Sequence, residues 1–182
     1  FREQKMNAVI LKDNIDNPFI SHLEAKNEKV KFQRIDAQVT EDFVEEMSEE
    51  EIKEKKDALT EIFKKALGKE NLDVRVEKMK NEKIASMITM SEETRRMQDM
   101  MKMYAMNGMG AMGDFGGETL VLNVANPLVQ YVESHKDGDK TDLFCKQLYD
   151  LAMISHKPLE PEEMTEFVMR SNEIMELLAK EK

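Results

Sequence analysis

Asp142-Leu-Phe-Cys-Lys-Gln-Leu-Tyr-Asp-Leu-Ala-Met-Ile-Ser155, the link Lys157-Pro-Leu-Glu-Pro161, and the run from Met164 to Leu178 form the stretch that decides the fold. The first segment is apolar nearly all round, through Leu143, Phe144, Leu148, Leu151, Ala152 and Ile154. The second repeats Met164, Phe167, Val168, Ser171, Ile174, Met175 and Leu178 at heptad-like spacing. Thr141 or Asp142 opens the first helix and Pro161 the second, and the short link makes them an antiparallel hairpin. Two such helices have apolar surface left over, which a matching hairpin from a second copy would bury as a four-helix interface. The seam is expected at Leu148, Leu151, Phe167, Ile174 and Leu178. The competing expectation is that the hairpin packs wholly on its own sheet.

Working outward, Ser48 and Glu51 form a capping box for a charged helix that Gly68 closes, with Ile52, Leu59, Ile62, Phe63 and Leu67 as its apolar stripe. Leu72, Val74 and Val76 alternate with Asp73, Arg75 and Glu77, which is strand periodicity. Ile84 to Met90 suits a second strand across a turn near Asn81 and Glu82, giving a hairpin, and Leu120 to Val124 suits a third strand. Asn126 and Pro127 open a short helix carrying Leu128, Val129 and Val132. Near the start, residues 6–11 and 30–35 suit strands flanking a helix capped by Asn17, with Pro18 at its first position and Phe19, Ile20 and Leu23 on one face. Apolar residues thin out between Asp42 and Lys56, which divides the chain into residues 1–41 and 42–182. The expected class is α+β: a small β-sheet with packed helices and a C-terminal helical hairpin, preceded by a small α/β unit.

In its 182 residues the chain carries 27 Lys plus Arg against 37 Asp plus Glu, a formal charge of −10. That balance argues against nucleic acid or an anionic membrane as a main partner. With 41% hydrophobic and 35% charged residues, the composition is that of a folded, helix-rich protein. A single cysteine cannot form an internal disulfide, and no apolar run approaches the roughly 20 residues that span a bilayer. The chain is expected to be cytoplasmic, and because it begins at Phe1 without an initiator methionine it is expected to be a piece of a longer protein.

Gly108-Met-Gly-Ala-Met-Gly113 satisfies the dinucleotide fingerprint, but a helix precedes it and a strand follows, the reverse of what phosphate binding needs. Asp137 to Asp142 resembles the start of a calcium loop, yet Asp142 stands at the glycine position and Leu148 at the bidentate glutamate position. His22, His135 and His156 lack metal-ligand spacing, and Cys145 on an apolar helix face is better placed as a small core residue than as a nucleophile. No catalytic residue or metal ligand is therefore expected.

Methionine is the unusual component: 16 residues, nine of them between Met87 and Met112. On the helix from Ser91 to Asn107, Met97, Met100, Met101 and Tyr104 share one face, while Met103 and Met106 depart from it, Met106 toward Gln98, Asp99 and Lys102. A core helix has no use for methionine on its wet side. A surface that grips varied apolar segments does, because thioether chains repack at low cost. Met97, Met100, Met101, Met103, Tyr104 and Met106 are thus candidate contacts for unfolded proteins.

The run Met90-Ser-Glu-Glu-Thr-Arg-Arg-Met-Gln-Asp-Met-Met-Lys, with Gln147-Leu-Tyr-Asp-Leu-Ala-Met and Arg170-Ser-Asn-Glu-Ile-Met-Glu-Leu-Leu, resembles the carboxyl-terminal part of the bacterial ninety-kilodalton heat-shock chaperones. Met6 to Ile10 with Asn17-Pro-Phe-Ile-Ser-His-Leu-Glu24 resembles the end of that family's middle domain. The resemblance implies that residues 1–41 end the middle domain and residues 42–182 form the dimerisation and client-binding domain. It implies a homodimer that holds partly folded clients in a cleft, with no ATPase or cofactor in this chain, since ATP and Mg belong to another domain of the full-length protein. Eukaryotic cytosolic members end in Met-Glu-Glu-Val-Asp, whereas this chain ends Ala-Lys-Glu-Lys182, which fits a bacterial origin. Two alternatives stay open: a purely structural dimerisation module with the methionine helix buried, and a nucleotide-binding enzyme subdomain using Gly108 to Gly113.

Overall fold

The computed structural model of the chain describes residues 9–11, 13, 15–27, 29–30, 32, 43–91, 94, 97 and 117–180. Helix α1 is Asp16–Lys26, strand β1 Val44–Glu45, helix α2 Glu49–Leu67, strand β2 Asp73–Met79, strand β3 Ser86–Met90 and strand β4 Glu118–Asn123. Helices α3, Pro127–Ser134, α4, Asp139–His156, and α5, Pro161–Lys180, follow. The class is α+β, as the sequence indicates.

Helix α2 forms as its ends dictate. The Ser48 hydroxyl accepts from the Glu51 amide at 3.3 Å, and three glutamates occupy the first turn, where the amide ends favour negative charge. Gly68 closes the helix at φ 63°, a left-handed position that costs a residue without Cβ little. Its buried side chains are Leu59, Ile62, Phe63 and Ala66.

The sheet order is β1-β2-β4-β3. The expected hairpin between β2 and β3 is therefore wrong: β4 lies between them, parallel to β2 and antiparallel to β3. The reason is burial. Leu120 to Asn123 are inaccessible on both faces, so β4 is the strand with most to gain from a central position. Val74, Val76, Ile88, Leu120 and Leu122 share one face and pack against α2, α3 and α4 in a single apolar core that includes Phe63, Val129, Val132, Cys145 and Leu148.

Asn123 ties this arrangement together. Its Oδ1 accepts from the amides of Met79 and Ala125, and its Nδ2 donates to the carbonyls of Asn81 and Ile84. Asn126 adds a bond to the Glu82 carbonyl at 2.7 Å and caps α3 by accepting from the Leu128 amide. Two buried amides thus fasten the loop joining β2 to β3 against the end of β4.

Two helix starts differ from expectation. Helix α1 begins at Asp16 after Ile15, not from an Asn17 cap, and the Asp16 carboxylate accepts from the Asp13 amide at 2.8 Å. Helix α4 begins at Asp139, because the Gly138 carbonyl already accepts from the amides of both Thr141 and Asp142. Thr141 is instead buried in the first turn, with its hydroxyl donating to the His135 carbonyl. On either side of α1, residues 9–11, 30 and 32 carry no strand. Val9, Ile10 and Phe32 are exposed, and without a ladder partner among the described residues an extended segment gains nothing from being a strand. Residues 6–8, 31 and 33–35 of those expected strands lie outside the described residues.

Candidate functional site

The link between α4 and α5 is anchored at both ends. Lys157 pairs with Glu118 at the start of β4 at 2.7 Å, and Leu159 packs against the core. The Glu163 carboxylate accepts from the Glu160 amide at 3.1 Å, which stands in for the hydrogen bonds the first turn of α5 lacks. Helix α5 then runs across α4 with two faces of different character. Phe167, Ser171, Ile174 and Leu177 are half-buried and Arg170 is buried, all on the side toward α4. Met164, Val168, Met175 and Leu178, at spacing i, i+4, i+11 and i+14, form an exposed apolar stripe beside them. Leu151 and Ile154 of α4 are exposed as well.

The five residues expected in a dimer seam therefore separate. Leu148 does not belong with them: it is 1% exposed, in the chain's own core, and its carbonyl accepts from the Ser86 hydroxyl of β3 at 2.7 Å. Helix α4 is apolar all round because one side serves the sheet, and periodicity alone could not say which. Leu151 is exposed, Phe167 and Ile174 are half-buried, and Leu178 is 65% exposed. Met164, Val168, Ile154 and Met175 extend the surface, and the signal that would have found the α5 members is the second heptad-like stripe, i and i+4 from Met164.

At the same end of the sheet, where Met90 pairs with Glu118, Ser91 caps a helical start by accepting from the Thr94 amide at 3.1 Å. Met97 is helical and 45% exposed. Met100, Met101, Met103, Tyr104 and Met106, together with the glycine fingerprint from Gly108 to Gly113, lie outside the described residues. Gly117, at φ 85°, stands so close to Thr94 that an added Cβ would lie 2.4 Å from its Cγ2. The chain thus leaves the sheet and rejoins it at nearly the same place. A cleft of about 320 Å³ beside it is lined by Lys69, Leu72, Ile88, Glu118, Leu120 and Tyr149, with the Lys69 ammonium 4.3 Å above the Tyr149 ring.

Among the described residues, Cys145, His135, His156 and the acidic loop are each engaged in local structure. Cys145 is buried, and burial with Asp142 nearby pushes its thiol up to about 12, so it carries no thiolate at neutral pH. Asp137 is paired with Lys65 at 2.6 Å, and Thr141 and Asp142 are already helical, so the acidic stretch forms no cation loop. His135 stacks on Tyr131 at 4.1 Å, and His156 lies 3.9 Å from Glu118. Among the described residues no group of His, Cys, Asp and Glu could hold a metal ion, and no glycine-rich turn joins a strand to a helix to cradle phosphate. No helix among them is long and apolar enough to cross a membrane.

A sequence model of the family described as "Hsp90 protein" matches residues 1–181. The chain belongs to the Hsp90 family. It is 32% identical over 139 residues to "Chaperone protein HtpG" of Bacteroides thetaiotaomicron, a match covering 72% of this chain and 20% of that relative. This Hsp90-family chain thus spans about a fifth of the length of the chaperone it matches. Its α4–α5 hairpin and the helix opened by Ser91 are the two apolar features to be explained in a chaperone-related protein.

Proposed function

We propose that residues 42–182 form the dimerisation and client-binding domain of a cytoplasmic chaperone, that residues 1–41 end its middle domain, and that this chain has no ATPase and no cofactor of its own. The observation that carries the reading is the exposed stripe of Met164, Val168, Met175 and Leu178 on a helix whose single buried side chain is Arg170. Such a helix is unfinished alone, and a second copy supplies the same stripe in return, since a two-fold interface pairs a patch with itself. The methionine helix is the client surface, and clients are unfolded or partly folded segments recognised by apolar area without a sequence code. The exposure of Met97 favours this over a purely structural dimeriser with that helix buried.

Sedimentation decides the first half. The chain should run as a dimer, and Val168→Glu with Leu178→Glu should give folded monomers, because the charges are solvated in one chain and buried in two. A double variant that remains dimeric overturns the interface. For the second half, Met103→Ser with Met106→Ser should leave the dimer intact and weaken suppression of client aggregation. Unfolding of that variant would mean that those methionines are core. Micromolar binding of ATP or ADP in a calorimeter would overturn the assignment of no cofactor.

A further inference from the structure

The last helix buries one side chain, and that side chain is an arginine. Arg170 Nε donates to Gln147 Oε1 at 3.0 Å, and its terminal nitrogen pairs with the Asp150 carboxylate. Gln147 Nε2 in turn donates to the Ser171 hydroxyl at 3.1 Å, and that hydroxyl donates to the Phe167 carbonyl at 2.7 Å. Gln147 and Asp150, one turn apart on α4, therefore meet two neighbouring residues of α5, each committed to a partner.

The apolar contacts of the same hairpin are not selective. Phe167, Ile174 and Leu177 of α5, seven and three residues apart, lie on the side toward α4, and because hydrophobic attraction is non-directional it sets little against a slip of one turn, about 5.4 Å. The slip would not spare the polar cluster. It would break the present pairing of Arg170 with both Gln147 and Asp150 at once and leave at least one of these half-buried polar groups without its partner, which disfavours the slipped arrangement.

We infer that Arg170, Asp150, Gln147 and Ser171 form a register key, positioning α5 on α4 in the one alignment whose exposed stripe a second copy can match. The partner class, a second copy of this chain, rests on the dimer reading above. The alignment of α5 on α4 does not. The cluster adds specificity and not stability. Burial pushes the Asp150 carboxyl above its ordinary value, and pairing with Arg170 offsets this only in part; Glu163 raises it further and Lys69 lowers it. A carboxyl raised in the folded state favours folding more as the pH falls through that raised value, so at neutral pH the ionised Asp150 carboxylate is less favoured in the folded chain than in the unfolded one. Apolar residues of similar volume should then hold the helix at least as firmly while losing the alignment.

The experiment places spin labels at Lys56→Cys on α2 and Asn172→Cys on α5, both exposed, in chain diluted with excess unlabelled chain so that only distances within one copy are read. Native Cys145 stays in place, because its buried thiol will not take the label. The native cluster should give one narrow distance. Arg170→Met with Asp150→Leu should unfold at the same or a higher temperature, broaden into more than one distance, and weaken dimerisation. Arg170→Met alone should unfold at a lower temperature. A double variant that keeps one narrow distance overturns the key, and so does one less stable than either single variant. If the native chain sediments as a monomer, the dimer reading falls while the distances still decide the alignment.

Discussion

The sheet with its covering helices and the final helix are built from similar proportions of apolar residue, yet they end in opposite states. In the first, Phe63, Leu59, Val74, Leu120, Leu122 and Val129 are sealed from water by elements of the same chain. In the second, 20 residues long, only Arg170 is buried and Val168, Met169, Met175 and Leu178 are exposed. The difference teaches that apolar content marks where burial is needed and says nothing about whose surface provides it. A single chain completes its core at the sheet and leaves the apolar stripe of α5 exposed.

The largest test of that contrast sets one deletion in each region side by side. Phe63→Ala removes a fully buried ring between α2 and the sheet and should lower the unfolding free energy by about 3–5 kcal/mol. Leu178→Ala, measured by the same urea titration at concentrations that favour monomer, should change it by less than about 0.5 kcal/mol. Comparable losses at the two positions would mean that α5 is part of the single-chain core after all.

A smaller effect sharpens the account of how the sheet holds its order. Asn123→Ala removes both halves of a buried amide, leaving the Met79 and Ala125 amides and the Asn81 and Ile84 carbonyls short of their partner. Unmet buried groups cost about 1–3 kcal/mol each, and relaxation of the Asn81–Ile84 loop toward water should hold the total near the lower end of that range. Thermal unfolding checks the size. Amide exchange should speed up in the loop at Asn81 to Ile84 and leave α5 unchanged.

Apart from the starts of α1 and α4, sequence reading succeeded where a residue's role is local. Ser48, Gly68, Asn126 and Pro127 act on their own turns, and each sits where its chemistry indicates. It failed where the decision belongs to distant residues. Nothing in Leu72 to Met90 shows that β4, some thirty residues later, will enter between β2 and β3, because alternation reveals a strand's faces and not its neighbours. Leu148 failed for the same reason, since heptad spacing gives a helix's sides and leaves open which side meets the sheet. Asn123 went unnoticed because asparagine at a strand end ordinarily signals a turn, and only the folded loop shows four partners around it.

A cap tests the local half of that lesson. Ser48→Ala should destabilise the domain by about 1 kcal/mol, because the Glu51 amide loses its acceptor while three glutamates continue to favour the same end of α2. Ser48→Asp should restore the loss, and circular dichroism during thermal unfolding reads both. No recovery with aspartate would mean that Ser48 acts through packing and not as a cap.

The smallest expected effect concerns a charge pair that bridges elements of the sheet region without belonging to its core. Lys65 on α2 and Asp137 before α4 meet at 2.6 Å, but their side chains are 69% and 79% exposed. The hydrogen bond and charge of Lys65 hold the Asp137 carboxyl below its ordinary value, and the same pair raises Lys65. For the carboxylate the sign is definite: stability from the pair is present above the ordinary carboxylate range and lost as the pH falls through the depressed value. For the lysine it is present below the ordinary ammonium range and lost only at more alkaline pH. Water and salt screen so open a pair that its stabilisation nearly vanishes at physiological ionic strength. Asp137→Asn should therefore leave the unfolding temperature unchanged in physiological salt, and lower it detectably only in low salt at neutral pH, with the difference closing as the solution is acidified. A clear loss in high salt would show that the pair is shielded from water, and that the single-chain region extends its closed character to the loop before α4.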